Sequence, residues 1–257
     1  MNKMENRIIL GLLILTSVLV SQVNTESMRS SSNQDGFQNK FDLDIGYEKA
    51  NSEVLELSGQ YRFDYIKQDN FHSFMVINLN NGYEKENDSP KNIITNKGFV
   101  HLRATKNVLK NFQTEAFTQY EFNDFLLLND RYLLGSGIRI GFNRNLLKKT
   151  YLGMGFMLEK ETYNLDTVNE KELIRSTNYI RNNFLLNSNI EFNNTIYFQI
   201  ATDDLNDYRI LFDSNIEFHT NDFLSFSISL NYRYDNDPHG DLGSSYIQIT
   251  NGLSFNF

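Results

Sequence analysis

The chain has 257 residues, no cysteine, no tryptophan, 21 Phe, 14 Tyr and a formal net charge of −8. Without cysteine there is no disulfide framework, no thiolate metal site and no lipidated cysteine, and the acidic balance argues against a nucleic-acid partner, which would need a basic face. The low mean hydropathy of −0.45 is compatible with a membrane protein only if the chain crosses as a β-barrel, where alternate residues alone meet lipid.

At the N-terminus Lys3 and Arg7 precede an apolar run from Ile8 to Val20, followed by Ser21, Gln22 and Asn24. A basic start, a short apolar core and then polar residues is the pattern of a secretory signal peptide, assigned here to residues 1–21. The alternative, a helical membrane anchor, needs roughly 20 apolar residues. Residues 22–40 are rich in Ser, Asn and Gln without periodicity, and a flexible N-terminal extension in the periplasm is expected there. Residues 41–257 are left as one domain.

That domain shows alternation of period two rather than a helical period. Phe41, Leu43, Ile45 and Tyr47 oppose Asp42, Asp44 and Gly46. Leu55, Leu57, Tyr61, Phe63 and Tyr65 then oppose Glu56, Ser58, Gln60, Arg62 and Asp64. The third run, Phe71 to Leu79, is less clean, because Phe74 and Val76 put bulk on its second face. The fourth is the weakest, with Val100, Leu102 and Ala104 against His101 and Arg103, and the fifth sets Ala116, Thr118, Tyr120 and Phe122 against Glu115, Gln119 and Glu121. In the sixth and seventh, Gly135, Gly137, Gly141, Gly153 and Gly155 concentrate on the polar wall, leaving room for bulky partners or for a local bend. The eighth carries Phe184, Leu186, Ile190 and Phe192, the ninth Ile196, Phe198 and Ile200, and the tenth Tyr208, Ile210, Phe212, Ile216 and Phe218. The last two runs begin at Leu224 and end at Phe257, for a total of about twelve. An even number of alternating strands, each with one apolar and one polar wall, predicts an all-β, antiparallel, up-and-down transmembrane barrel.

Connection lengths point the same way. Short turns are expected at Lys67 to Asn70, at Asn193 and Asn194, and at Thr220 to Asp222. Longer acidic connections are expected at Asn81 to Asn96, Glu159 to Glu172, Thr202 to Asp207 and Asp235 to Leu242, with a short exception near Ala50. Pro90 and Pro238 fall in the long set, where no ladder hydrogen bond is lost. With the N-terminus in the periplasm, the long set faces outward, as in barrels of the Gram-negative outer membrane.

Two resemblances sharpen this. The stretch YEFNDFLLLNDRYLLGSGIRIGF, Tyr120 to Phe142, and the ending built on LNYRYDNDP resemble the family of salt-induced outer-membrane proteins, of unknown function. A departure lies at Lys49, Ala50, Asn51 and Ser52, where that family usually has a Ser-Gly-Asn-Thr-like turn. The resemblance implies an outer-membrane barrel and supplies no catalytic residue. Thr250, Gly252, Phe255 and Phe257 resemble, in register, the C-terminal signal read by the barrel-assembly machinery, which is the expected partner besides outer-membrane lipid. A monomer is expected.

No metal, cofactor or catalytic site is assigned. The four histidines have no metal-ligand spacing. His219 and Ser214, the one pair worth testing for a lipid hydrolase, are five residues apart and so belong on opposite faces of one strand. Asp235, Asp237, Gly240 and Asp241 resemble a calcium loop, but Tyr246 stands where the bidentate Glu is required, so a solvated acidic loop is expected. The polar wall is more informative. Glu56, Arg62, Arg103, Glu115, Glu121, Arg139, Arg181, Glu191, Arg209, Asp213, Glu217 and Arg233 should face the lumen if the alternation holds. Mixed signs predict a cross-strand network in a narrow or plugged lumen, the alternative being an open pore selective by its net field. The functions left standing are a narrow passive channel or envelope-stress barrel, an outer-membrane lipid hydrolase, and a structural or surface-binding barrel.

Overall fold

The computed structural model describes residues 26, 28–29, 34–49, 52–67, 70–86, 90–145, 148–164, 170–238 and 243–256. The signal-peptide assignment and Phe257 lie outside them. The described chain forms twelve strands: β1 (Gly36–Lys49), β2 (Ser52–Lys67), β3 (Phe71–Glu86), β4 (Asn92–Leu109), β5 (Phe112–Asn123), β6 (Leu128–Asn145), β7 (Lys148–Tyr163), β8 (Glu170–Asn187), β9 (Ile190–Ala201), β10 (Tyr208–His219), β11 (Leu224–Asp235) and β12 (Ser245–Asn256). Each pairs antiparallel with the next, and β1 pairs with β12, so the sheet closes into a barrel. A single 3-10 turn, Asp124–Leu126, joins β5 to β6 and is closed by Leu127 in the left-handed region at φ 54°.

Closure follows from the pattern of two walls. The outward wall of Leu134, Phe156, Ile180, Ile196 and Ile249 is solvent-exposed in the isolated chain, whereas inward Arg131, Glu159, Arg175 and Arg209 are buried. This inverts a soluble protein, where a wall of large apolar side chains turns inward. With lipid outside, every backbone N–H and C=O at membrane depth must be paired within the protein, and a closed ladder achieves that.

Several boundaries differ from the sequence reading. Gly36–Lys40, expected in the flexible extension, are the first residues of β1 and pair with Arg62–Ile66. Asn193 and Asn194, expected as a turn, lie inside β9 opposite Asn183 and Asn182; the turn is at 188–189. The expected long connections 81–96 and 159–172 are largely strand, because β3, β4, β7 and β8 continue their ladders well past the apolar band. In the β7 and β8 extensions the outward wall turns polar, at Lys160, Thr162, Glu170 and Glu172, so the contrast that marks a spanning strand fades while the hydrogen bonds continue. The remaining connections still sort into two ends. At one end, between β2 and β3, β4 and β5, β6 and β7, β8 and β9, and β10 and β11, all are of two to four residues. At the other end they reach nine residues, between β11 and β12, with the two-residue β1–β2 and four-residue β5–β6 connections the short ones there. We call these the turn end and the loop end.

The third run's second face also has its explanation. Phe74 and Val76 point inward and pack with Phe99 and Met28, an apolar patch inside a polar lumen. The glycines of β6 and β7 divide into two uses. A Cβ on Gly153 would sit 2.0 Å from the Tyr179 ring, and one on Gly135 would sit 2.2 Å from the Phe117 ring, so these positions seat aromatic side chains. Gly137 and Gly155 instead bring backbone to backbone, with Cβ positions 2.5 and 2.4 Å from carbonyl oxygens across the pair. Substituting Gly153 with Val should therefore displace Tyr179 and lower stability by about 1–3 kcal/mol. A shifted urea midpoint for the refolded protein in vesicles measures this, and Ser176→Val on the lipid-facing wall serves as the control.

Candidate functional site

The lumen is occupied at two levels. Toward the turn end, Glu26 and Arg29 from the segment preceding β1 lie inside the barrel, with 0% and 6% of their surface exposed. Glu26 accepts from Arg29 Nε at 3.0 Å and forms ion pairs with Arg103 on β4 and Arg139 on β6, each at 3.1 Å. Arg29 in turn reaches Glu115 on β5 at 2.7 Å, and its guanidinium lies 5.3 Å from the Phe74 ring centre on β3. Backbone carbonyls of the same segment are held as well: Arg62 Nη1 donates to Met28 O at 3.2 Å, and Arg181 Nη2 donates to Arg29 O at 2.9 Å. Around this plug Tyr179 donates to Glu115 at 2.7 Å, and Arg103 donates to the Tyr197 hydroxyl at 3.4 Å. Residues 22–40 are expected from sequence to be a free extension, but Glu26, Met28 and Arg29 are clamped by six strands. The reason is charge complementarity: one acid and one base fit a wall that supplies Arg103, Arg139 and Arg181 against Glu115.

The second level lies toward the loop end. Arg131 on β6 ion-pairs with Glu159, with Glu161 at 3.2 Å and with Glu121 at 3.4 Å. Arg175 on β8 ion-pairs with Glu159 and grips Asp207 through both terminal nitrogens at 2.7 and 2.9 Å. Arg209 on β10 reaches across to Glu159 at 2.9 Å and Glu161 at 3.3 Å, and holds Asp235 at 2.8 Å. Tyr163 donates to Glu161 at 2.9 Å. Burial raises the Asp207 carboxyl, but hydrogen bonds from Arg175 and Lys171 outweigh it and hold the group below its ordinary value of 3.8.

The sequence-predicted lumen residues fall as follows. Arg103, Glu115, Arg139 and Arg181 surround the plug, and Glu121 and Arg209 belong to the loop-end network. Arg62 ion-pairs with Asp64 at 2.6 Å, Asp213 with Arg233 at 2.6 Å, and Glu217 with Lys40 at 3.0 Å. Glu191 accepts from Asn193 at 2.9 Å and lies 3.9 Å from His219. Glu56 is exposed on β2 between Gly46 and Gly82, its register partners. Glu159, Glu161 and Asp207 went unassigned because their segments read as loop, and Arg131 and Arg175 because they lie just outside the alternating runs. The signal was there: Glu159, Glu161 and Tyr163 continue the inward phase of Gly153 and Gly155. Glu26 and Arg29 carried no period at all.

The filling is one-sided. Inward residues from β4 to β10 are mostly buried, among them Thr105, Gln119, Met157, Thr177, Thr195 and Leu211. On β11, β12, β1 and β2 several inward residues of the middle stretches are small or polar and half-exposed, among them Ser227, Ser229, Asn231, Gln248, Thr250, Asp42, Ser58 and Gln60, whereas Ser225, Arg233, Ser254 and Asp64 on the same strands are buried. That arc is a polar crevice accessible to water. Ser214 and His219 sit at positions of opposite phase on β10, so they do not form a nucleophile–base pair. Among the described residues no three His, Cys, Asp or Glu side chains converge as metal ligands. Of the assembly-signal residues, Thr250, Gly252 and Phe255 lie on β12, and a Cβ on Gly252 would meet Asp44 Oδ1 at 1.9 Å.

A family model described as a protein of unknown function, DUF481, matches residues 25–257. The chain belongs to the DUF481 family. That description mentions no salt response. No curated protein matches the sequence. Among solved structures this DUF481 chain is similar to the NanC porin, with a TM-score of 0.52 and 9% identity over 85% of this chain and 98% of that one. It is also similar to the translocator domain of the autotransporter NalP from Neisseria meningitidis, with a TM-score of 0.49 and 8% identity over 88% and 90% of the two chains. The NanC likeness shows that the DUF481 chain shares its barrel fold with that porin.

Two outcomes follow for the networks. Arg175→Ala takes one partner each from Glu159, which keeps Arg131 and Arg209, and from Asp207, which keeps Lys171, and should cost about 1–3 kcal/mol in urea unfolding. Because folding depresses the Asp207 pKa, its contribution is complete above the unfolded value and fades as pH falls through the folded one. Stability should therefore decline below about pH 4, and Asp207→Asn, though weaker at neutral pH, should flatten that decline.

Proposed function

We propose that this protein is a monomeric barrel of the Gram-negative outer membrane whose lumen is a narrow, obstructed passage for small hydrophilic solutes. The observation that carries the proposal is the placing of Glu26, Met28 and Arg29 inside the lumen, beside a water-accessible polar crevice on β11, β12, β1 and β2. The exposed apolar outer wall and the fold likeness to the NanC porin support the membrane setting. Delivery through the barrel-assembly machinery by the ending Thr250, Gly252, Phe255 and Phe257 belongs to the same proposal. No catalytic residue is part of it. The lipid-hydrolase alternative loses its one candidate pair to the opposite phases of Ser214 and His219.

Obstruction is a matter of electrostatics as much as of bulk. Removing Glu26 takes from Arg103, Arg139 and Arg29 the carboxylate they share, and removing Arg29 as well breaks the pair with Glu115, so the segment loses its two charged anchors. Planar-bilayer recording tests this. The native protein should show little or no steady conductance, whereas Glu26→Ala/Arg29→Ala should give discrete openings several-fold larger. Electrical silence of both, in samples that keep the gel-mobility shift of a folded barrel, would end the channel reading. The membrane setting is checked by fractionation, where recovery in the soluble periplasm contradicts it.

A further inference from the structure

The barrel does not close evenly. Most neighbouring strands pair along nearly their whole length, and β1 pairs with β2 from Gly36 to Lys49. The β1–β12 seam holds only Lys40–Leu43 against Leu253–Asn256. Beyond it, Asp44–Lys49 and Ser245–Gly252 have no bridge to one another among the described residues, although both stretches are strand. Outward residues of the parted stretches are Ile45, Tyr47, Ile247 and Ile249, 64%, 57%, 57% and 71% exposed, so the opening lies within the apolar band. Inward residues beside it are Asp44, Gln248 and Thr250, all half-exposed and continuous with the polar crevice.

We propose that this parted seam is a lateral slot that binds single-chain amphiphiles with a cationic head group, entering from the membrane leaflet at the loop end. The inference rests on the membrane-barrel reading and adds a ligand class and a route to it. Two unpaired strand edges facing hydrocarbon are costly, since each unsatisfied backbone group there is worth several kcal/mol. A ligand that brings both an apolar chain and hydration to the slot relieves that cost. Polarity runs the right way for such a ligand, aliphatic on the lipid side and polar on the lumen side within one residue's width of sheet. Charge selects the head group. Asp44 sits at the apex of the slot, its carboxylate laid over Gly252, where a Cβ would come within 1.9 Å of Oδ1. Neighbouring Asp42 is satisfied by Ser254, by Gln60 at 3.1 Å and by Lys40 at 3.5 Å. Asp44 has no hydrogen-bond or ion-pair partner among the described residues, so an ammonium group is the complement it lacks. The plug obstructs the turn-end side of the lumen, and the slot opens on the loop-end side of that obstruction.

The protein has no native cysteine, which makes cross-linking clean. Asp42→Cys/Ser254→Cys lies on paired residues and should oxidise readily to an internal disulfide in phosphatidylcholine vesicles; if it does not, the barrel closure itself is wrong. Continuing the register would set Gly46 opposite Thr250, and Gly46→Cys/Thr250→Cys should stay largely reduced under the same conditions. Binding is read by electron paramagnetic resonance with nitroxide-labelled dodecyltrimethylammonium. It should give a motionally restricted population that Asp44→Asn weakens roughly tenfold, with labelled dodecyl sulfate unaffected by the substitution. Rapid internal cross-linking at 46 and 250 would overturn the slot. Equal restriction of both amphiphiles, or no effect of Asp44→Asn, would overturn the ligand. Disulfide-linked dimers through position 250 would identify a second copy of the chain as the occupant and overturn the proposal as well.

Discussion

An ionised side chain buried deep in the barrel must meet a counter-charge or a hydrogen-bond partner there, and this requirement ties together strands that are not neighbours. Arg209 on β10 finds Glu159 and Glu161 on β7, Tyr179 on β8 finds Glu115 on β5, and Arg103 on β4 finds Tyr197 on β9. Such pairs do little to stabilise the fold in sum, because removing each ion from water costs several kcal/mol that the pairing roughly returns. Their effect is on specificity. A buried guanidinium without partners is costly, so the register that supplies them is strongly preferred over its slips, and a slip of one residue would turn the charges toward lipid.

The same requirement explains why the lumen is filled on one side. Where Arg, Glu and Tyr project from β4 to β10, they bridge the interior and bury one another; where Ser, Asn, Thr and Gln project from β11 through β2, the side chains are shorter, and beside the Lys40–Glu217 pair the wall stays open to water. The N-terminal segment completes the filled side. Glu26 supplies a negative charge where Arg103 and Arg139 converge, and Arg29 answers Glu115. A passage that is plugged by ion pairs can be opened by competing for them, which links the electrostatics of the wall to a transport role without any moving domain.

The barrel was legible in the sequence because its walls alternate: Tyr132, Leu134, Ile138, Ile140 and Phe142 against glycine and Arg139 can be read without a structure, and so can the strand count. What was not legible had weak contrast. Gly36–Lys40 lack an apolar wall, and Asn193 and Asn194 look like a turn although their neighbours across the sheet are Asn183 and Asn182, an asparagine ladder on both walls. Glu159 and Glu161 sit beyond the lipid band, where outward residues are polar too. The plug is a different kind of omission. Nothing local marks Glu26 or Arg29, because their meaning lies in partners 77 and 86 residues away, and complementarity at that separation appears only once the barrel brings the wall together. The parted seam is equally silent, since Asp44 and Gly252 each fit a continuous alternation.

The account stands on the N-terminal segment being inside the closed barrel, and the accessibility of Met28 tests that most directly. Met28→Cys would be the sole thiol in the protein. In the folded protein in vesicles it should resist a bulky maleimide-polyethylene glycol on both faces of the membrane and react fully only after unfolding. Labelling of the folded protein as fast as the unfolded one would place the segment outside the lumen and contradict the account.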